Sequence, residues 1–170
     1  RNPRIGKKIL TTGNGRCNFT NVNNDISFYH GTNPKFAYGA LSQFTVYDTI
    51  RFFDELGIEH KVEERGKVFP MSDQASSVLD VLMYELNRLG VNIVCDALVN
   101  SVLKVNDTFK VETENGEVYW ADKVIIATGG RAMPSSGSDG RGYDLAIMTG
   151  HTIVDTYPSL VQLMLEGEFF

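Results

Sequence analysis

Apolar residues recur at three- and four-residue spacing through Ala75, Val78, Leu79, Leu82, Leu86 and Leu89, the stripe of an amphipathic helix over 73–89. Ser72 is placed to cap it, Asp73 to favour its positive end and Gly90 to stop it. Val91-Asn92-Ile93-Val94-Cys95 then reads as a strand, so 73–95 is predicted to be a helix-to-strand unit of an α/β sheet. Upstream, Asn33-Pro34 signals a helix start, and Phe36, Ala37, Ala40, Leu41 and Phe44 fall on one helical face. A second short helix starts near 45–48, carries Val46, Ile50, Phe53 and Leu56 on one side, and stops at Gly57. Residues 58–63 and 67–69 read as a strand pair around Arg65-Gly66.

Downstream, three short strands at about 98–105, 108–113 and 117–121 are joined by Asn106-Asp107 and Asn115-Gly116, both favourable turn pairs. This predicts an antiparallel meander. The chain then returns to the main sheet through 123–128, where Val124-Ile125-Ile126-Ala127-Thr128 runs into Gly129-Gly130. A helix at about 142–149 follows, with Leu145, Ala146 and Met148 apolar and Gly150 as its stop.

The 170 residues are 42% hydrophobic and 22% charged, the balance of a globular domain. With no long apolar run and no secretory pattern, neither a membrane span nor export is expected. Cys17 and Cys95 are too few for a disulfide framework and fit a reducing cytoplasm. The cysteines and the scattered His30, His60 and His151 lack metal-ligand spacing, so no metal site is expected. The net charge of −5 is uneven: residues 1–24 hold five cations and no acid, while the rest holds 11 bases against 21 acids. The acidic balance argues against nucleic acid as a partner. The basic stretch around Gly13 and Gly15 reads either as an anion-binding loop for a small ligand or as a solvated terminus. The chain opens on Arg1-Asn2-Pro3 and closes on Phe169-Phe170, ends expected of an internal piece of a longer protein whose uncovered edges favour self-association.

A strand that stops at two glycines brings bare backbone to the sheet edge, where nucleotides sit in open α/β folds. A meander between two buried strands is a flavoprotein feature, since nicotinamide-binding domains cross over through helices. Three stretches, 6–21 (from Gly6-Lys7-Lys8 to Thr20-Asn21), Gly66-Lys67-Val68-Phe69-Pro70 with Ser72, and Ala127–Val161, together resemble the HI0933-like, or YhiN-type, family of FAD-dependent oxidoreductases.

The resemblance implies a partial FAD-binding Rossmann-like domain of α/β class, made of 1–33 and 73–170, with 34–72 as a small helical and hairpin insertion. The phosphate-binding Gly-x-Gly-x-x-Gly turn and a later insertion domain of such proteins are absent from the sequence. It implies cofactor contacts at Lys8, Thr12, Gly13, Gly15, Arg16, Cys17, Asn18 and Thr20, and at Thr128, Gly129, Gly130, Gly140 and Gly142. Lys8 and Arg16 would supply positive charge, Gly13 and Gly15 backbone N–H groups, and Thr12, Asn18 and Thr20 neutral hydrogen bonds. Gly140 and Gly142 would open a helix whose N-terminus faces an anionic or electron-rich group. Read without the resemblance, the first loop is equally a surface turn with Asn18 and Thr20 capping local backbone. Cys17 reads as a small packing residue, and His151 as a residue bonded back to its helix rather than a general acid. Segment 97–99 resembles the place where flavoproteins read adenine through backbone atoms. No catalytic residue is assigned. The expected function is a cytoplasmic flavoprotein moving a hydride or electron pair between a small organic substrate, FAD and either NAD(P)H or oxygen. The alternatives are a fumarate-reductase-like flavoprotein and a non-catalytic nucleotide-binding or interaction module. On this reading the Arg16 loop and the Thr128–Gly130 strand tip share one cleft.

Overall fold

The computed structural model describes residues 1–158. The expectations placed on Ser159, Leu160, Val161, Phe169 and Phe170 lie outside the described residues. The fold is mixed α/β, and its contacts divide into two compact units.

Residues 4–94 form one unit. Its sheet is antiparallel, with β3 (Lys67–Pro70) between β1 (Thr20–Asn21) and β2 (His60–Val62). The register pairs Lys61 with Phe69 and Thr20 with Val68. The hairpin turns through a 3₁₀ segment, Glu64–Gly66, in which Arg65 and Gly66 both take positive φ. α1 (Tyr38–Gln43) continues a 3₁₀ turn that starts at Pro34, and α2 (Val46–Glu55) follows directly. Thr45 and Asp48 close a reciprocal capping box on α2. Gly57 and Gly90 take left-handed φ just past α2 and α3 (Ala75–Arg88), as their stop roles require. Cys17, Ile58, Ala75 and Val78 make the core, wrapped by Ile9, Leu10, Phe19, Phe53, Val81 and Leu82. Buried side chains such as Val78 contribute about 1.5–3 kcal/mol each relative to exposure.

Two expectations for this unit change. The helix begins at Ala75, so Asp73 is not a first-turn acid: it sits in the preceding turn at φ +55 and its carboxylate faces the sheet. Ser72 does accept the Gln74 N–H, at 3.4 Å. The apolar face predicted for 36–44 exists but is uncovered, with Phe36 78% and Phe44 56% exposed.

Residues 1–3 and, among the described residues, 95–158 form the other unit. β4 (Val99–Val105), β5 (Thr108–Thr113) and β6 (Val118–Ala121) make the predicted meander, turning with left-handed backbone at Asn106 and Gly116. α4 (Arg141–Met148) packs against β4, burying Val102 and Leu145. Asn2 joins the unit through its carbonyl, which accepts the Asp96 N–H (3.0 Å), and its amide, which donates to the Ser136 carbonyl (2.9 Å).

The segments 91–95 and 123–128, expected as buried strands of a main sheet, carry no ladder among the described residues. A strand is stabilised by its neighbours, and neither segment has one here. Exposure alternates along 124–126: Val124 and Ile126 are half-buried while Ile125 is 89% exposed.

Candidate functional site

The glycine-rich loop is built by a 3₁₀ segment, Ile9–Gly15, in which the Lys8 carbonyl accepts the N–H groups of Thr11 and Thr12. Thr12 is extended, Gly13 and Asn14 both have φ +58, Gly15 +82 and Cys17 +65, with Arg16 right-handed between the last two. Alternating handedness of this kind curls successive amides into an anion-binding concavity. Here the Arg16 N–H goes to the Gly13 carbonyl (3.3 Å) and the Cys17 N–H to that of Thr12 (3.0 Å), so the loop's own carbonyls occupy it.

The two glycines differ in what surrounds them. A Cβ on Gly13 would stand 2.5 Å from the Asn18 nitrogen and 2.9 Å from Phe69, whereas one on Gly15 would meet only the Leu10 carbonyl, at 3.9 Å. Gly13 therefore serves packing, and Gly15 turns an open backbone outward. The Thr12 hydroxyl donates to Ile9 (2.8 Å). Asn18, with its amide turned to donate, reaches the carbonyls of Thr20 (2.8 Å) and Val68 (3.1 Å), and Thr20 lies in β1. Lys8 is exposed. Cys17 is buried in the core, where burial pushes its thiol above the ordinary range against a smaller opposing effect of Thr12.

Arg16 is held by side chains that the sequence did not mark as its partners. Its Nη1 lies 2.9 Å from Glu63 Oε1 and 3.4 Å from Asp73 Oδ1, and its guanidinium carbon sits 3.9 Å from the centre of the Phe69 ring. Lys61 Nζ pairs with Asp73 Oδ2 and stands 3.5 Å from Glu63 Oε1. The Lys61 hydrogen bond, then the charges of Lys61 and Arg16, hold the Asp73 carboxyl below the usual carboxylate range. Its bond to Asp73 raises Lys61, and the bond to Glu63 raises Arg16. The signal available in the sequence was the strand alternation Lys61-Val62-Glu63, which puts both charges on one face beside the Arg65-Gly66 turn.

The second glycine group also packs on its own chain. A Cβ at Gly129 would be 2.9 Å from Ser138 Oγ, at Gly130 3.1 Å from the Tyr143 hydroxyl and at Gly140 2.6 Å from Arg131 Nε. At Gly142 it would overlap Thr128 Oγ1, so that glycine lets α4 seat against Thr128. The N-terminus of α4 is already faced by an anion: Asp139 Oδ1 accepts the Arg141 N–H (3.3 Å), and Oδ2 pairs with Arg1 (2.5 Å) and Arg141 Nε (3.2 Å). Burial opposes ionisation of Asp139, but these partners outweigh it and hold its carboxyl low. The His151 N–H bonds back to Ala146, and the Leu98 carbonyl in segment 97–99 accepts the Glu114 N–H. Among the described residues no three His, Cys, Asp or Glu side chains are grouped to hold a metal.

Within residues 4–94 the charge of Arg16 is matched by Glu63 and Asp73, and within the other unit that of Asp139 is matched by Arg1 and Arg141, while Gly15 leaves open backbone. In the first loop, open backbone beside a charge-matched Arg16 suits a neutral ring or sugar better than a pyrophosphate.

Residues 1–158 match the family described as HI0933-like protein Rossmann domain. The chain is 48% identical over 98% of its length to 3-dehydro-bile acid delta(4,6)-reductase of Clostridium scindens. It is 35% and 32% identical, over 94% and 93% of its length, to the ribosomal RNA dihydrouridine synthases of Escherichia coli and Haemophilus influenzae. It spans 40% of the length of each of these relatives.

Proposed function

The chain belongs to the HI0933-like Rossmann-domain family, and on that premise we propose that it is part of a flavin-dependent reductase acting on a carbon–carbon double bond conjugated with a carbonyl. The observation that carries this is the 48% identity, over almost the whole chain, to a reductase of an unsaturated bile acid. The rRNA dihydrouridine synthases share the same kind of step, saturation of a double bond beside a carbonyl. A flavin, when bound, would supply the electron pair as a hydride to one carbon, with solvent as the proton source for the other and NAD(P)H as the proposed reductant. Within residues 4–94, the loop at 12–18 with its open backbone at Gly15 is the proposed contribution to holding it, with the pyrophosphate held elsewhere in the protein. The same reading takes 1–33 with 73–170 as the cofactor-binding part and 34–72 as an insertion.

A small apolar substrate is favoured over RNA by charge. The chain is acidic overall, and within its basic first 24 residues Arg1 is paired with Asp139 and Arg16 with Glu63 and Asp73. No helix among the described residues is long and apolar enough to cross a membrane; the proposal of a cytoplasmic enzyme rests instead on the free Cys17 and Cys95. The test is the purified whole protein. It should show a flavin spectrum, and its dithionite-reduced form should be reoxidised anaerobically by a 3-oxo-Δ4,6 steroid acid. Absence of flavin would refute the reading, and reoxidation by unmodified rRNA but not the steroid would move the substrate to RNA.

A further inference from the structure

Two cations and two anions alternate around one face of the sheet in residues 4–94: Arg16, Glu63, Lys61 and Asp73. Only Arg16 belongs to the glycine-rich loop; the others come from β2, its far end and the turn before α3. The arrangement is more than a surface ion pair. Arg16 is fixed on three sides, by two carboxylates and by the Phe69 ring beneath it. Asp73 reaches it from a left-handed backbone position that few residues other than Gly, Asn and Asp adopt. The Arg16 amide is closed onto the loop as well, so side chain and main chain are restrained together.

We propose that Lys61, Glu63 and Asp73 are positioning residues for the Arg16 loop, which hold its conformation and set its net charge near zero, and so tune how readily the neighbouring flavin is reduced. This rests on the reading that loop 12–18 borders a flavin. The charge count gives the proposal a sign. Removing the Asp73 charge leaves the ring one unit positive, which favours the more electron-rich reduced flavin. Removing the Lys61 charge leaves it one unit negative, which disfavours it. A merely structural role would push both variants in the same direction.

The experiment uses the whole protein as wild type, Asp73→Asn, Lys61→Met and, as control, Glu85→Gln, which breaks the exposed Glu85–Arg88 pair on α3. Flavin reduction is titrated anaerobically against a reference dye. Asp73→Asn should move the dye equilibrium toward reduced flavin and Lys61→Met away from it, each by roughly threefold, as for a unit charge acting through a partly aqueous medium. Shifts of the same sign, or none beyond the control, would overturn the tuning. Hydrogen exchange at the Arg16 and Cys17 amides, which needs no flavin, should quicken in Asp73→Asn and in Glu63→Gln, and unchanged exchange would overturn the clamp. Wild-type protein without flavin would instead refute the functional reading beneath the tuning, leaving the exchange measurement to decide the clamp.

Discussion

Gly13 and Gly15 stand two positions apart in one loop and answer to different constraints. Both have positive φ, but only Gly13 is pressed against Asn18 and Phe69. Gly15→Ala should cost the left-handed backbone penalty alone, about 1–2 kcal/mol. Gly13→Ala adds overpacking of about 1–3 kcal/mol to that. Urea midpoints of the two variants, at unchanged m-value, measure the difference. Glycine spacing marked the loop, yet whether a glycine faces a ligand or its own chain depends on which distant residue lies across from it, here Phe69, Tyr143 and Thr128. Glu63 and Asp73 were illegible as partners of Arg16 because 47 and 57 positions separate them.

Elements held by local rules were legible. α2 carries its own start signal in Thr45 and Asp48, and the meander carries its turns in Asn106 and Gly116. Thr45→Ala should destabilise the unit by about 1 kcal/mol, read from thermal or urea unfolding. Elements defined by their neighbours were not. β1 is two residues long and exists because β3 is beside it, while 91–95 and 123–128 have strand composition and no adjoining strand among the described residues. The Asp48 cap and the Asp73 ion pair also carry a pH dependence. Thr45 holds the Asp48 carboxyl low through hydrogen bonding, and Lys61 does so for Asp73. Their folded pKa values lie below the unfolded ones, so the stabilisation is complete above the unfolded carboxylate range near pH 4 and is lost as pH falls through the folded values. Urea midpoints measured from about pH 7 down to pH 2 should hold level and then drop below about pH 4. The drop should be shallower in Asp73→Asn.

For the whole chain, matched charges limit what it can bind unaided. With the loop amides of Arg16 and Cys17 closed on carbonyls and α4 faced by Asp139, residues 1–170 should show no saturable FAD binding at micromolar concentration by titration calorimetry. Tight binding would mean that these groups rearrange around phosphate. The bond from Asp96 to the Asn2 carbonyl has a different consequence. It brings the two points where the chain leaves and rejoins the meander unit within one hydrogen bond of each other, so 4–94 is spliced in like a cassette on a closed stem. Excising 4–94 and bridging Pro3 to Cys95 with a few glycines should leave the meander and α4 melting cooperatively, as seen by heteronuclear NMR of the shortened chain.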